Sequence, residues 1–248
     1  MGYWPVVLNV LKNSDVVILI ADARVPEITK NKEIIKKAEA LNKKLILVFN
    51  KTDLVGKRDM RELKKFYPES FFITNKNKKT IIDLRNYLEK IAENHSRTSL
   101  RIGVVGYPNA GKSTLINMLV PGANVKVANF AGTTKKTEWL RLGRLRIMDS
   151  PGVIPTGDSS EVVGVASAKD PHKIKNPERI AIRIISFLNK KNKKILEKFY
   201  NVNADDDYEL FLEIGRVKKY LTKGGEVDEF RTAIKIVEDW QGGKIGVR

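Results

Sequence analysis

Cysteine is absent from the 248 residues, which excludes disulfides and thiolate metal sites, and the two histidines, His95 and His172, are too far apart for an imidazole cluster. Any metal is therefore expected on oxygen ligands. Aromatic residues are sparse at 8%, and no apolar run approaches the roughly 18 residues that would suggest a membrane span. No lipid-anchor motif or strongly amphipathic terminal helix is visible, so no membrane partner is expected. Met1 to Pro5 lacks both the basic start and the apolar stretch of a secretory leader, which places the chain in the cytoplasm as an expectation. Acidic residues are also in short supply. Against 46 Lys and Arg stand 29 Asp and Glu, a formal charge of +17 that favours a polyanionic partner, RNA first, through phosphate neutralisation. A Lys-, Ile- and Glu-rich chain without cysteine also suits heat adaptation, but that enriches both signs of charge together.

The apolar pattern divides the chain in two. DVVILIA (Asp15 to Ala21) and KLILVF (Lys44 to Phe49) are continuous, branched runs of the kind found in strands buried on both faces of a parallel sheet. Further strands are expected at Phe71 to Thr74, Leu100 to Val105, Trp139 to Leu142 and Leu145 to Met148, the last two joined around Gly143. Helices are predicted over Thr29 to Leu41, from near Lys57, over Thr80 to Glu93 and over Lys112 to Leu119, with a polar linker at Asn94 to Thr98. Alternating strand and helix implies a doubly wound α/β fold with a mostly parallel sheet, its ligand loops at the carboxyl ends of the strands. Beyond about Ser167 only helical candidates remain, near Pro177 to Leu188, Asp206 to Arg216 and Val227 to Trp240. The expected division is an α/β domain over residues 1–168 and a smaller C-terminal all-helical domain over 169–248.

Three motifs carry chemistry. Gly106-Tyr107-Pro108-Asn109-Ala110-Gly111-Lys112-Ser113 has the phosphate-loop pattern, with a strand before it and a helix after it. Backbone amides from Asn109 to Thr114 are expected to face phosphates at the helix N-terminus, with Lys112 reaching the β- and γ-phosphates and the Ser113 hydroxyl on magnesium. Asp149-Ser150-Pro151-Gly152 ends a strand, so Asp149 can approach the magnesium and the Gly152 amide the γ-phosphate. Asn50-Lys51-Thr52-Asp53 follows another strand. Asp53 can accept from the ring N–H and exocyclic amine of guanine, a donor pair adenine lacks, while Asn50 and Lys51 brace the base. Thr74-Asn75-Lys76, at the next strand end, is the expected backbone contact to the base.

The order base-reader, phosphate loop, switch threonine, Asp-x-x-Gly resembles the YlqF/RbgA group of circularly permuted GTPases over nearly the whole chain. Asp22 to Pro26 (DARVP) is similar to that group's Asp-Ala-Arg-x-Pro signature, and Lys218 to Gly246 to the tail of its helical domain. Ala131-Gly132-Thr133-Thr134 resembles its Pro-Gly-x-Thr switch, with Ala131 in place of proline. The resemblance implies that Thr134 is the switch threonine and a magnesium ligand beside Ser113 and Asp149. It implies a GTP/GDP- and Mg2+-dependent hydrolase that assembles the large ribosomal subunit and contacts rRNA; separately from the resemblance, a monomer is expected. Asn75 departs from the alanine usual at its position. Asp22 and Arg24 fit two readings equally, a place near the nucleotide or an internally paired turn.

Catalysis is assigned to Lys112, Thr134, Gly152 and Asn109. The glutamine that many GTPases carry after Asp-x-x-Gly is replaced by Val153, so slow hydrolysis without an activator is expected. Asn109 resembles the asparagine of potassium-activated GTPases, which implies K+ as a further cofactor; a loop-shaping role is the alternative. The basic clusters Lys190 to Lys194 and Arg216 to Lys223 are candidate phosphate contacts or solvated faces. Two rival functions remain open, a non-catalytic GTP-gated RNA-binding module and a potassium-stimulated GTPase of tRNA modification.

Overall fold

The structure is a computed structural model describing residues 4–123, 125, 139–166 and 169–248. A six-stranded sheet runs through its first part in the order β3-β2-β1-β4-β6-β5. The strands are β1 (Val16–Asp22), β2 (Lys44–Asn50), β3 (Phe71–Phe72), β4 (Leu100–Gly106), β5 (Trp139–Leu142) and β6 (Leu145–Asp149). All pairs are parallel except β5 with β6, a hairpin whose two-residue turn uses Gly143 at φ +54°. This is the doubly wound, mostly parallel sheet that the apolar runs predict.

Alternation along each strand splits the core into two layers. Val17 and Leu19 of β1 join Val105, Ile34 and the buried face of α1 (Trp4–Asn13), namely Val7, Val10 and Leu11. Val16, Ile18 and Ile20 point the other way, into a cluster with Ile102, Val104 and two helices numbered below as α5 and α6. The helix expected over Thr29 to Leu41 starts later, as α3 (Lys32–Ala40), and a separate short helix, α2 (Pro26–Thr29), precedes it. The break between them is chemical, because the Asn31 side chain caps α3 by accepting from the amides of Glu33 and Ile34, both at 3.0 Å. Then follow α4 (Lys57–Phe66), α5 (Lys79–Glu93), α6 (Lys112–Leu119) and α7 (Ser160–Val165).

From residue 169 the described chain is helical: α8 (Pro177–Asn192), α9 (Lys194–Tyr200), α10 (Asp207–Val217) and α11 (Glu229–Gln241). Asp206 caps α10 through the amides of Tyr208 and Glu209. Their apolar faces surround Trp240, and this cluster runs on without a break into Ala21, Ala23 and Phe49 at the ends of β1 and β2. The helices thus sit over the strand ends that carry the candidate ligand loops. Among the described residues no helix is long and apolar enough to cross a membrane.

Candidate nucleotide-binding site

Because β1, β2, β4 and β6 are parallel, the residues at their carboxyl ends, Asp22, Asn50, Gly106 and Asp149, emerge at one edge of the sheet. The chain winds outward from β1 in one direction and from β4 in the other, so the crevice between them is the topological switch point where doubly wound folds bind ligands.

The phosphate loop leaves β4 and enters α6 through Gly111 at φ +102°. A Cβ there would lie 2.0 Å from Asn50 Nδ2, so glycine is required both by the backbone and by its neighbour. Asn50, 5% exposed, donates from Nδ2 to the Ala110 carbonyl at 3.0 Å. The base-reading segment and the phosphate loop, 60 residues apart, are therefore locked together. Asn109 occupies the left-handed region at φ +57°. Lys112 is buried, and its ammonium donates to the Tyr107 carbonyl at 2.9 Å. Burial pulls its pKa down to about 8, with Asp149 acting in the opposite sense.

Ser113 Oγ donates to Asp149 Oδ2 at 2.9 Å, bringing together two of the three expected magnesium ligands. Two hard oxygens suit an ion that keeps several waters and phosphate oxygens in its shell. Among the described residues no cluster of three or more His, Cys, Asp or Glu forms a metal cage. Gly152 is packed against the phosphate loop, since a Cβ on it would fall 2.6 Å from Pro108 Cα. Val153 turns its side chain into the core beside Leu19 and Val105, while its carbonyl accepts from Asn31 Nδ2 at 3.4 Å. Tyr107 donates from its hydroxyl to Asp158, tying the phosphate loop to the segment after Gly152. Thr134, with Ala131 to Thr133, lies outside the described residues.

At the base end, Asp53 accepts from Thr74 Oγ1 at 2.7 Å and pairs with Lys76 Nζ at 2.8 Å. Burial works to raise its pKa, but the hydrogen bonds from Lys76 and Thr74 outweigh it and hold the carboxylate below its usual range. Thr74 and Lys76 thus orient the side chain that would read the base. Asn75 is exposed beside them. Lys51 sits at φ +61° and pairs with Asp22 Oδ2 at 2.9 Å.

That ion pair reveals two residues the sequence left undecided. Asp22 also holds Arg24, through Nη2 at 2.7 Å and Nε at 3.0 Å, and both side chains are buried. Burial would raise the Asp22 pKa, yet Arg24 and Lys51 hold it far below the usual carboxylate range. The turn is therefore internally paired, and it also touches the base-reading motif through Lys51. A cavity of about 360 Å3, walled by Arg24, Val55, Leu63, Phe66, Tyr67 and Val247 among others, borders this turn and lies away from the phosphate loop.

Comparison with known proteins agrees with this geometry. Residues 101–212 match the family model described as 50S ribosome-binding GTPase. The chain is 37% identical over 243 residues to an uncharacterized GTP-binding protein, MJ1464, of Methanocaldococcus jannaschii, covering 97% of this chain and 65% of that protein. It is 34% identical over 257 residues to nucleolar GTP-binding protein 2 of Saccharomyces cerevisiae, covering 98% and 52% respectively. The chain thus spans about half to two thirds of the length of these relatives. In fold it is similar to GNP-bound YlqF from T. maritima, with a TM-score of 0.66 at 20% identity, covering 98% of this chain and 95% of that one. Phosphate loop, Asp-x-x-Gly and base-reader thus meet at one sheet edge in permuted chain order, in a chain similar to GTP-binding proteins over nearly its whole length and to YlqF in fold.

Proposed function

We propose that this chain binds GTP with magnesium, hydrolyses it slowly on its own, and serves as a nucleotide-timed assembly factor on the large ribosomal subunit. The observation that carries the reading is the Asn50 to Ala110 hydrogen bond at 3.0 Å, which sets the guanine reader against the phosphate loop in one site. Asp53 accepts the two guanine donors, which gives preference over adenine. Lys112 would move from the Tyr107 carbonyl to the β- and γ-phosphates, and Ser113 and Asp149, with Thr134, would hold a magnesium ion, which would supply charge neutralisation at the phosphates. The chain's own amides, from Asn109 to Thr114 and at Gly152, would orient the γ-phosphate.

Slow turnover follows from Val153, whose buried aliphatic side chain neither orients water nor takes a proton. Asn109 then supports a potassium ion as the missing positive charge, a role that an arginine finger fills in other GTPases at about 10³ to 10⁵ in rate. The helical region 169–248 is the RNA-binding part in this reading. Because α7 and the following helices continue directly from the Asp149 to Gly152 switch, ordering that switch by GTP biases their placement. The names of the similar proteins, nucleolar and ribosome-binding GTPases, favour a ribosomal partner.

The test is GTP turnover in potassium and in sodium, with and without purified large ribosomal subunits, beside Asp53→Asn. Stimulation by subunits and by potassium that disappears in the variant is the expected result. GTP binding without any turnover under all conditions would favour the non-catalytic gated module, which Val153 also suits. Unchanged turnover with subunits would remove the ribosomal assignment, and stimulation by tRNA instead would favour a modification enzyme.

A further inference from the structure

Two contacts from the C-terminal helical region converge on the base-reading motif, and neither touches the phosphate loop. In the first, the Arg24 guanidinium lies 4.0 Å from the centre of the Trp240 ring and donates from Nη1 to the Trp240 carbonyl at 2.6 Å. Trp240 is fully buried, edge-on to Phe187 at 5.9 Å, and its indole N–H donates to the Val165 carbonyl at 2.8 Å. Its ring is thus a fixed platform rather than a mobile face. The second contact is a strap. The Val247 amide donates to the Leu54 carbonyl at 2.8 Å, Gly56 N–H donates to the Val247 carbonyl at 3.0 Å, and Arg248 Nη1 reaches the Asp53 carbonyl at 3.1 Å.

The first contact has a direct chemical line to the base. Lys51 must bring its stem beside guanine from a left-handed backbone, and its ammonium is anchored on Asp22. A carboxylate holding two cations turns with whichever holds it more rigidly. Here that is Arg24, which forks onto both carboxylate oxygens and is itself gripped on its face and at Nη1 by Trp240. Remove the platform and Arg24 loses its stacking partner and its carbonyl; Asp22 then no longer fixes where Lys51 points. The 360 Å3 cavity against Arg24 and Val247 gives the loosened side chains room to repack.

We propose that Arg24 and Trp240 are positioning residues for guanine, so that the seating of α11 and the 246–248 strap sets the affinity for the base. The inference rests on the guanine reading proposed above. Since linkage is reciprocal, a partner that shifts α11 changes guanine nucleotide affinity, and nucleotide changes the partner's affinity by the same factor.

The experiment measures release of a fluorescent GDP analogue, and competition by inorganic tripolyphosphate, on the full chain and its variants with magnesium present. Arg24→Lys keeps the charge but loses the fork and the stack, and Trp240→Leu removes the platform. Each is expected to speed GDP release about tenfold, the scale of a desolvated cation–aromatic contact with its hydrogen bond, while tripolyphosphate affinity stays unchanged. Trp240→Phe keeps a ring beneath Arg24 and is expected to restore most of the loss. Equal losses for GDP and tripolyphosphate would mean a merely structural role and overturn the proposal, as would folded variants with unaltered GDP release. Should Trp240→Leu fail to fold, Arg24→Lys and Arg248→Ala decide the matter alone. A wild-type chain that holds tripolyphosphate but not GDP would instead overturn the guanine reading.

Discussion

Lys112 is the residue whose chemistry changes most when phosphate arrives. Burial brings its pKa to about 8, whereas an unfolded lysine titrates near 10.4. Between those values the unfolded chain binds more protons than the folded one, so this group makes stability rise with pH across that window and weighs against folding below it. Bound phosphates reverse the effect, because their negative charge restores the ammonium. Nucleotide binding at pH 8 should therefore take up about half a proton, and almost none at pH 6, where Lys112 is already charged. Calorimetry in buffers of different ionisation enthalpy reads this directly, and Lys112→Met should abolish it; an uptake that does not vary with pH would show that other groups are responsible. Local spacing at strand ends singles out Asn50, Asp53, Lys112, Ser113 and Asp149 as candidates, and the structure gathers them at one edge of the sheet. For Arg24 the same spacing leaves two readings open. Its defining partner, Trp240, lies 216 residues further along, and no local pattern encodes that distance.

At the scale of elements, the strands were readable because β1 is buried at every position and its sequence is correspondingly apolar up to its last residue, Asp22. α1 escaped notice: it carries no acidic residue in its first turn, and its few apolar contacts, Val7, Val10 and Leu11, become meaningful only against β1 and β4. α9 was hidden by the lysines around it, which read as a charge cluster although Leu196 and Tyr200 bury one face. Glycine within α10 is another feature that only packing explains. A Cβ on Gly215 would stand 2.4 Å from Val227 Cγ1 and 2.6 Å from Thr232 Oγ1, so α10 and the start of α11 approach more closely than alanine allows. Helix propensity alone would make Gly215→Ala stabilising by up to about 1 kcal/mol. Overpacking costs about 1 to 3 kcal/mol, and we expect it to win. Urea unfolding should show a lower midpoint for the variant, and a higher one would mean that the crossing relaxes without strain.

For the molecule as a whole, the sheet places the nucleotide motifs on one edge and the helices over that edge, while the +17 charge dresses the outside. Composition pointed to a polyanion but not to which lysines meet it; the structure narrows the choice by pairing some of them. Lys193 is engaged by Asp205 at 2.9 Å, Lys191 by Asp59 at 3.1 Å and Arg216 by Glu209 at 2.8 Å. Lys190, Lys219 and Lys223 are exposed, with no acidic partner among the described residues. A lysine already neutralised by a carboxylate adds little to counterion release, whereas one that newly meets a phosphate lowers the slope of log K against log salt by roughly 0.7 to 0.9. Fluorescence anisotropy with a large-subunit rRNA fragment across a potassium chloride series should therefore give a steep slope. Lys219→Ala and Lys223→Ala should each flatten it by nearly one unit, and Lys193→Ala by less. If all three flatten the slope equally, surface pairing does not select the RNA-facing lysines, and if none does, the RNA footprint lies elsewhere on the molecule.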